Sequence, residues 1–152
     1  MKNLFRFIAL LVAWNMQVSL HAQVPVMSSY PSAQAVIFLD FDGHTVQGTS
    51  WNYAGPIVGG ASGLTTAKII EVFNRVAEDY RPFNINITTD STLYWSAPVM
   101  QRTRVIITIS SSWYGTAGGV AFTGSFSWGD NTPAFVFSAL HGYRVKDIAE
   151  AT

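Results

Sequence analysis

The chain has no cysteine. A thiolate nucleophile, a Cys-ligated metal and a disulfide framework are therefore excluded. Charge is scarce too, with only 12% of the 152 residues being Asp, Glu, Lys or Arg. No charge run marks a nucleic-acid stripe or an acidic tail. Histidine is rarer still. After His21 the chain holds only His44 and His141, and no His-Glu-x-x-His occurs. The helical pair that fixes a zinc ion together with its general base is thus absent. A set built from His44, His141 and a carboxylate is conceivable, but lone histidines more often serve structure. The sequence also lacks internal repeats, and none of its apolar runs is long enough to span a bilayer.

Apolar and aromatic residues are plentiful. They make up 49% and 14% of the chain, respectively, enough to bury a sizeable core in one domain. Residues 1–22 read apart from it. Lys2 and Arg6 precede the apolar run Phe7 to Trp14, and Ser19-Leu20-His21-Ala22 offers a small residue for cleavage. This is the layout of a secretory signal peptide, and it predicts a secreted protein. Removing it takes away two cations and leaves seven basic side chains against nine acidic ones. So mild a charge gives no reason to expect nucleic acid or a membrane surface as partner, and a monomer is expected.

Residues 23–34 read as an extended, weakly structured lead-in, and residues 35–152 as the domain. The run Ala35 to Phe41 suits a strand buried on both faces. Residues 42–64, rich in Gly, Ser, Thr and Asn, form a long loop or loose hairpin anchored by Trp51 and Tyr53. Thr65 and Thr66 offer N-caps for a helix to about Tyr80, with Ile69, Ile70, Phe73, Val76, Ala77 and Tyr80 on its core face. Pro82 stops it. Strands are expected over 84–88, 104–110, 118–124 and 134–137, and a second helix from near Arg144. The fold class is α/β, a mixed twisted sheet of about five strands with one long packed helix.

Three stretches carry a family resemblance. Asn74 to Asp90 reads as a helix end, a Pro stop and an Ile-alternating strand. Gly118-Gly119-Val120-Ala121-Phe122-Thr123-Gly124-Ser125 reads as a Gly-bounded strand, and Lys146 to Ala151 as a helix start. In this order they resemble the N-terminal part of a secreted bacterial zinc metallopeptidase of the metzincin type, reprolysin-like in its edge strand. The resemblance implies a zinc-dependent endopeptidase acting on peptide or protein substrates. An extended substrate would add antiparallel to Gly119, Val120, Ala121 and Phe122. It also implies that the zinc ligands and the catalytic Glu follow Thr152, so that residues 1–152 bind no zinc and are inactive alone. Read without the family, the same stretch is an ordinary Gly-bounded hairpin.

Asp40 and Asp42 admit three other readings. Val36 to Val46 resembles the first motif of haloacid-dehalogenase-type magnesium phosphatases, with Asp40 as nucleophile and Asp42 as acid/base. His44 stands where that family has Thr, and no later Asp pair completes a magnesium site. Two carboxylates one residue apart at a strand end also suit calcium. Most simply, Asp42-Gly43 is a turn capped by Asp40. Elsewhere, Glu78 and Asp79 end a helix beside Arg81, which suggests ion pairing rather than acid/base work. Trp51, Trp95, Trp113 and Trp128 suggest either a carbohydrate platform on a non-catalytic binding module or, more simply, burial against the sheet.

Overall fold

A computed structural model describes residues 23–152, so the signal peptide expected over 1–22 lies outside it. In chain order the elements are β1 (Ala35–Asp40), β2 (His44–Val46), β3 (Ile57–Gly59), α1 (Thr66–Asp79), β4 (Ile85–Thr88), α2 (Ser91–Ser96), β5 (Arg102–Thr108), β6 (Gly119–Val120), β7 (Ala134–Phe137) and α3 (Val145–Ala151). Five strands form a mixed sheet in the order β4-β1-β5-β7-β6. Its pairings are parallel except the last, where β6 runs antiparallel to β7. The α/β expectation holds.

The continuous Val-Ile-Phe-Leu run places β1 inside the sheet, where both faces are covered. Ile37 and Leu39 point to one side, joining Val105, Ile107 and Val136 beneath α1 and α3. Val36 and Phe38 point to the other, against Tyr94. On that second face the hairpin β2–β3 brings Val46, Trp51 and Ile57 onto Ile106, Phe135 and Phe137.

Thr65 caps α1, its hydroxyl accepting from the Lys68 N–H at 3.4 Å. The buried stripe is Ile69, Val72, Phe73 and Val76, a strict i, i+3, i+4, i+7 set. Ile70, expected on the core face, is 39% exposed, because one residue turns it about 100° from Ile69. Other expectations need correction as well. Tyr53 is 79% exposed and anchors nothing, whereas Trp51 is buried. α2 was not foreseen; Asp90 caps it by accepting from the Thr92 N–H at 2.8 Å. β5 starts two residues earlier than expected, at Arg102.

The lead-in is pinned, not loose. Ser28 bridges Thr88 antiparallel, the Ser29 N–H donates to Ile87 O at 2.9 Å, and the Thr89 N–H donates to Met27 O at 3.0 Å. Asn86, 1% exposed, accepts from the Ser28 hydroxyl at 2.9 Å and the Tyr30 N–H at 3.0 Å. The β4 edge of the sheet is therefore covered, as an open row of backbone donors and acceptors invites pairing with other chains. Asn86→Ala is expected to cost about 1–3 kcal/mol, because it leaves these donors without their acceptor. Amide exchange at Ser29 and Thr89 should accelerate. Unchanged exchange there would show that Asn86 does not hold the cover.

Candidate functional site

The opposite edge of the sheet is β6. β6 pairs Gly119 with Val136 and Val120 with Phe135. The Phe137 N–H donates to Gly118 O at 2.8 Å, so antiparallel alternation turns the Gly119 N–H and C=O away from β7. Two glycines are needed for this close fit. A Cβ on Gly119 would lie 2.8 Å from Phe135 O, and one on Gly118 would lie 2.6 Å from the His141 ring. His141 Nε2 sits 3.0 Å from Gly118 O and braces the strand from behind.

The strand expected over 118–124 is only two residues long. Beyond Val120 the chain leaves the ladder. The Phe122 ring lies on Trp51 at a centroid distance of 4.0 Å, and Gly124, at φ +80°, turns the backbone into a short 3-10 segment. Of the four residues expected to meet substrate, Gly119 and Val120 form the edge, and Ala121 and Phe122 follow it as irregular chain leading into a turn at Thr123-Gly124. After β7 the chain folds back tightly. The Ser138 N–H donates to Thr108 O at 2.9 Å, its hydroxyl donates to Ser62 O at 2.6 Å, and the Tyr143 N–H donates to Ser138 O at 3.0 Å. This turn delivers α3 to the end of the sheet, where Ile148 and Ala149 pack in the cluster with Val72 and Phe73.

The second group of chemistry-bearing residues stands at the carboxyl end of β1. Asp42 bends the chain, and Gly43 carries it through φ +97°, where a Cβ would meet Gly59 O at 2.8 Å. Only glycine fits that corner. Among the described residues, Asp40 Oδ1 is buried without a hydrogen-bond partner, and Asp40 Oδ2 is 3.6 Å from Arg104 Nη1. Burial, and then the Asp42 carboxylate beside it, push Asp40 up to about 7, against the opposing pull of Arg104. His44 is held below its ordinary range by burial and by Arg104, with Asp42 partly offsetting them.

Arg104 is the member that sequence reasoning missed. Its guanidinium lies 5.2 Å from the Phe38 ring centroid, 5.1 Å from Tyr94 and 5.6 Å from Trp95. A signal was present. Arg102 and Arg104 alternate at the start of a strand that continues Val105-Ile106-Ile107, which places both on one face.

His44 and His141 do not come together: one faces Arg104 and the other braces Gly118. Among the described residues no three His, Cys, Asp or Glu side chains converge on a point that would hold a metal. These residues do not fit zinc. Nor do they favour calcium at Asp40 and Asp42, because the Arg104 guanidinium stands beside the carboxylate that a cation would need. A nucleophile on phosphorus needs open approach, and Asp40 is 3% exposed.

The tryptophans divide. Trp51 is buried and donates from Nε1 to Pro133 O at 2.7 Å, whereas Trp95 and Trp128 are 53% and 44% exposed. Glu78 pairs with Arg81 at 2.7 Å on the surface. Among the described residues, no helix is long and apolar enough to cross a membrane. No family model, curated protein or solved structure matches the chain.

Proposed function

We propose that residues 35–151 form the upper, substrate-aligning half of an exported zinc metalloendopeptidase of metzincin type. The zinc ligands and the general-base Glu are assigned to sequence following Thr152. One observation carries this proposal: β6, the antiparallel strand at the sheet edge, turns the Gly119 backbone outward, and the strand beside it runs by a tight turn into α3. An extended peptide pairs with such an edge through its own N–H and C=O groups, with affinity coming from main-chain hydrogen bonds. His141 and the two glycines keep the edge straight and close to β7.

The test is to read the coding sequence after Thr152 and express the product with and without it. The extended product is expected to contain His-Glu-x-x-His with a third His, and to cleave an unstructured peptide in a chelator-sensitive way. The 152-residue chain alone is expected to show no cleavage. A stop codon directly after Thr152, or zinc-dependent hydrolysis by the chain alone, would overturn the proposal.

A further inference from the structure

A cavity of about 310 Å³ opens between the β2–β3 hairpin, α2 and the loop before β7, with His44, Thr45, Trp95, Arg104, Asn131 and Pro133 among its lining. Its size is at the small end of ligand pockets. Two arginines stand near it, and they differ. Arg102 spends its guanidinium on the carbonyls of Tyr94, Trp95 and Ala97 and on Asn131 Oδ1, so it builds the wall. The Arg104 side chain is only 8% exposed; among the described residues its Nε has no partner, and its one ionic contact, 3.6 Å to Asp40, exceeds hydrogen-bond length. A buried guanidinium without hydrogen bonds is costly unless something completes it. The three aromatic rings around it compensate part of its charge but accept no N–H in the plane of the fork.

We propose that this cavity is a binding site for a small monocarboxylate with an apolar body. Its carboxylate meets Arg104, and its body lies against Trp95 and Pro133. The planar fork of arginine matches a carboxylate with two parallel hydrogen bonds, which a spherical anion does not exploit. The half-exposed Trp95 and the Pro133 ring supply the apolar wall. The site is separate from the β6 edge and does not depend on the peptidase proposal.

Asp40 competes with the ligand for Arg104. The titratable and charged groups facing Asp40 and the cavity are Asp42, His44 on β2, Arg102 and Arg104 on β5, Tyr94 on α2, and Asp130 before β7. Burial and Arg104 move His44 down and burial moves the Tyr94 phenol up, both away from pH 7, whereas Asp40 is pushed up to about 7 and changes charge there. A ligand that binds only when Asp40 holds its proton should bind about tenfold more tightly near pH 6 than near pH 8.

Benzoate is the probe, titrated into the whole chain by calorimetry while the Arg Nε–H resonances are followed. Saturable one-site binding is expected, with the Arg104 resonance moving and the pH trend above. Benzamide, of the same shape but uncharged, should not bind. Arg104→Gln should abolish binding. Because that change is in the interior, Thr45→Trp provides a second arm: Thr45 is exposed on β2, and the larger ring fills the cavity mouth without touching the core. It should abolish binding at unchanged melting temperature. Benzoate heats that never saturate, equal response to benzamide, or full binding by Thr45→Trp would each overturn the proposal.

Discussion

Asp40→Asn is expected to leave stability nearly unchanged at about pH 4 and to raise it by about 4 kcal/mol at about pH 8, relative to the parent chain. In the fold Asp40 holds its proton up to about 7, whereas a free aspartate loses it near 3.8. Between these values the unfolded chain is ionised and the folded chain is not. The folded state therefore binds more protons, and stability falls as pH rises through this window. The contribution is fully present below the lower value and lost above the upper one. Asparagine mimics the protonated side chain in size and never ionises, so it removes the slope.

Arg104 sets the other possible outcome. If its attraction outweighed burial, ionised Asp40 would be stabilising, and the asparagine variant would be weaker at alkaline pH. Denaturation midpoints of both proteins from about pH 4 to 9 decide between the two. A destabilised variant at high pH would show that the ion pair wins over desolvation, contrary to the usual balance for buried charges.

Elements with a long, clean period were legible. β1 was legible in the β-branched and aromatic run from Ala35 to Phe41, and α1 in its apolar stripe and Thr65 cap. β7 and α3 stood where they were expected. α2 was not legible because six residues are less than two turns, too few for a helical period to register. The expected seven-residue edge strand shrank to two because Phe122 is drawn onto Trp51, a residue distant in sequence that no local pattern encodes. The cover on β4 was hidden for the same reason, since Asn86 holds residues more than fifty positions away.

The candidate sites divide along the same line. The Gly-bounded run from Gly118 to Gly124 pointed to Gly119 and Val120 as strand, but their place at the sheet edge depends on β7 pairing. Asp40 and Asp42 drew notice as a motif. What makes them physically unusual is Arg104, sixty-four residues from Asp40 and brought beside it by the parallel pairing of β1 with β5. Motif reading sees the carboxylates and not the cation that changes their chemistry.

Trp51→Ala is expected to cost about 3–5 kcal/mol, within the range for deleting a large buried aromatic. Trp51 is 6% exposed and joins three parts of the chain. Its ring meets Phe122 at 4.0 Å, Trp113 at 5.7 Å and Phe135 at 6.1 Å between centroids, and its Nε1 ties it to Pro133 O. Removing it takes the floor from under the turn after β6 and the lid from the second face of the sheet. Trp51→Phe separates the two contributions: it keeps most of the apolar contact but orphans the Pro133 carbonyl, for about 1–3 kcal/mol. Denaturant midpoints give the totals, and amide exchange at Val120 and Phe122 reports the edge. Exchange there should accelerate in the alanine variant more than global destabilisation alone requires, because β6 has only two paired residues of its own. If those amides instead track the global value, β6 is held by β7 alone. Trp51 would then stabilise the domain without shaping the edge on which an extended peptide is proposed to lie.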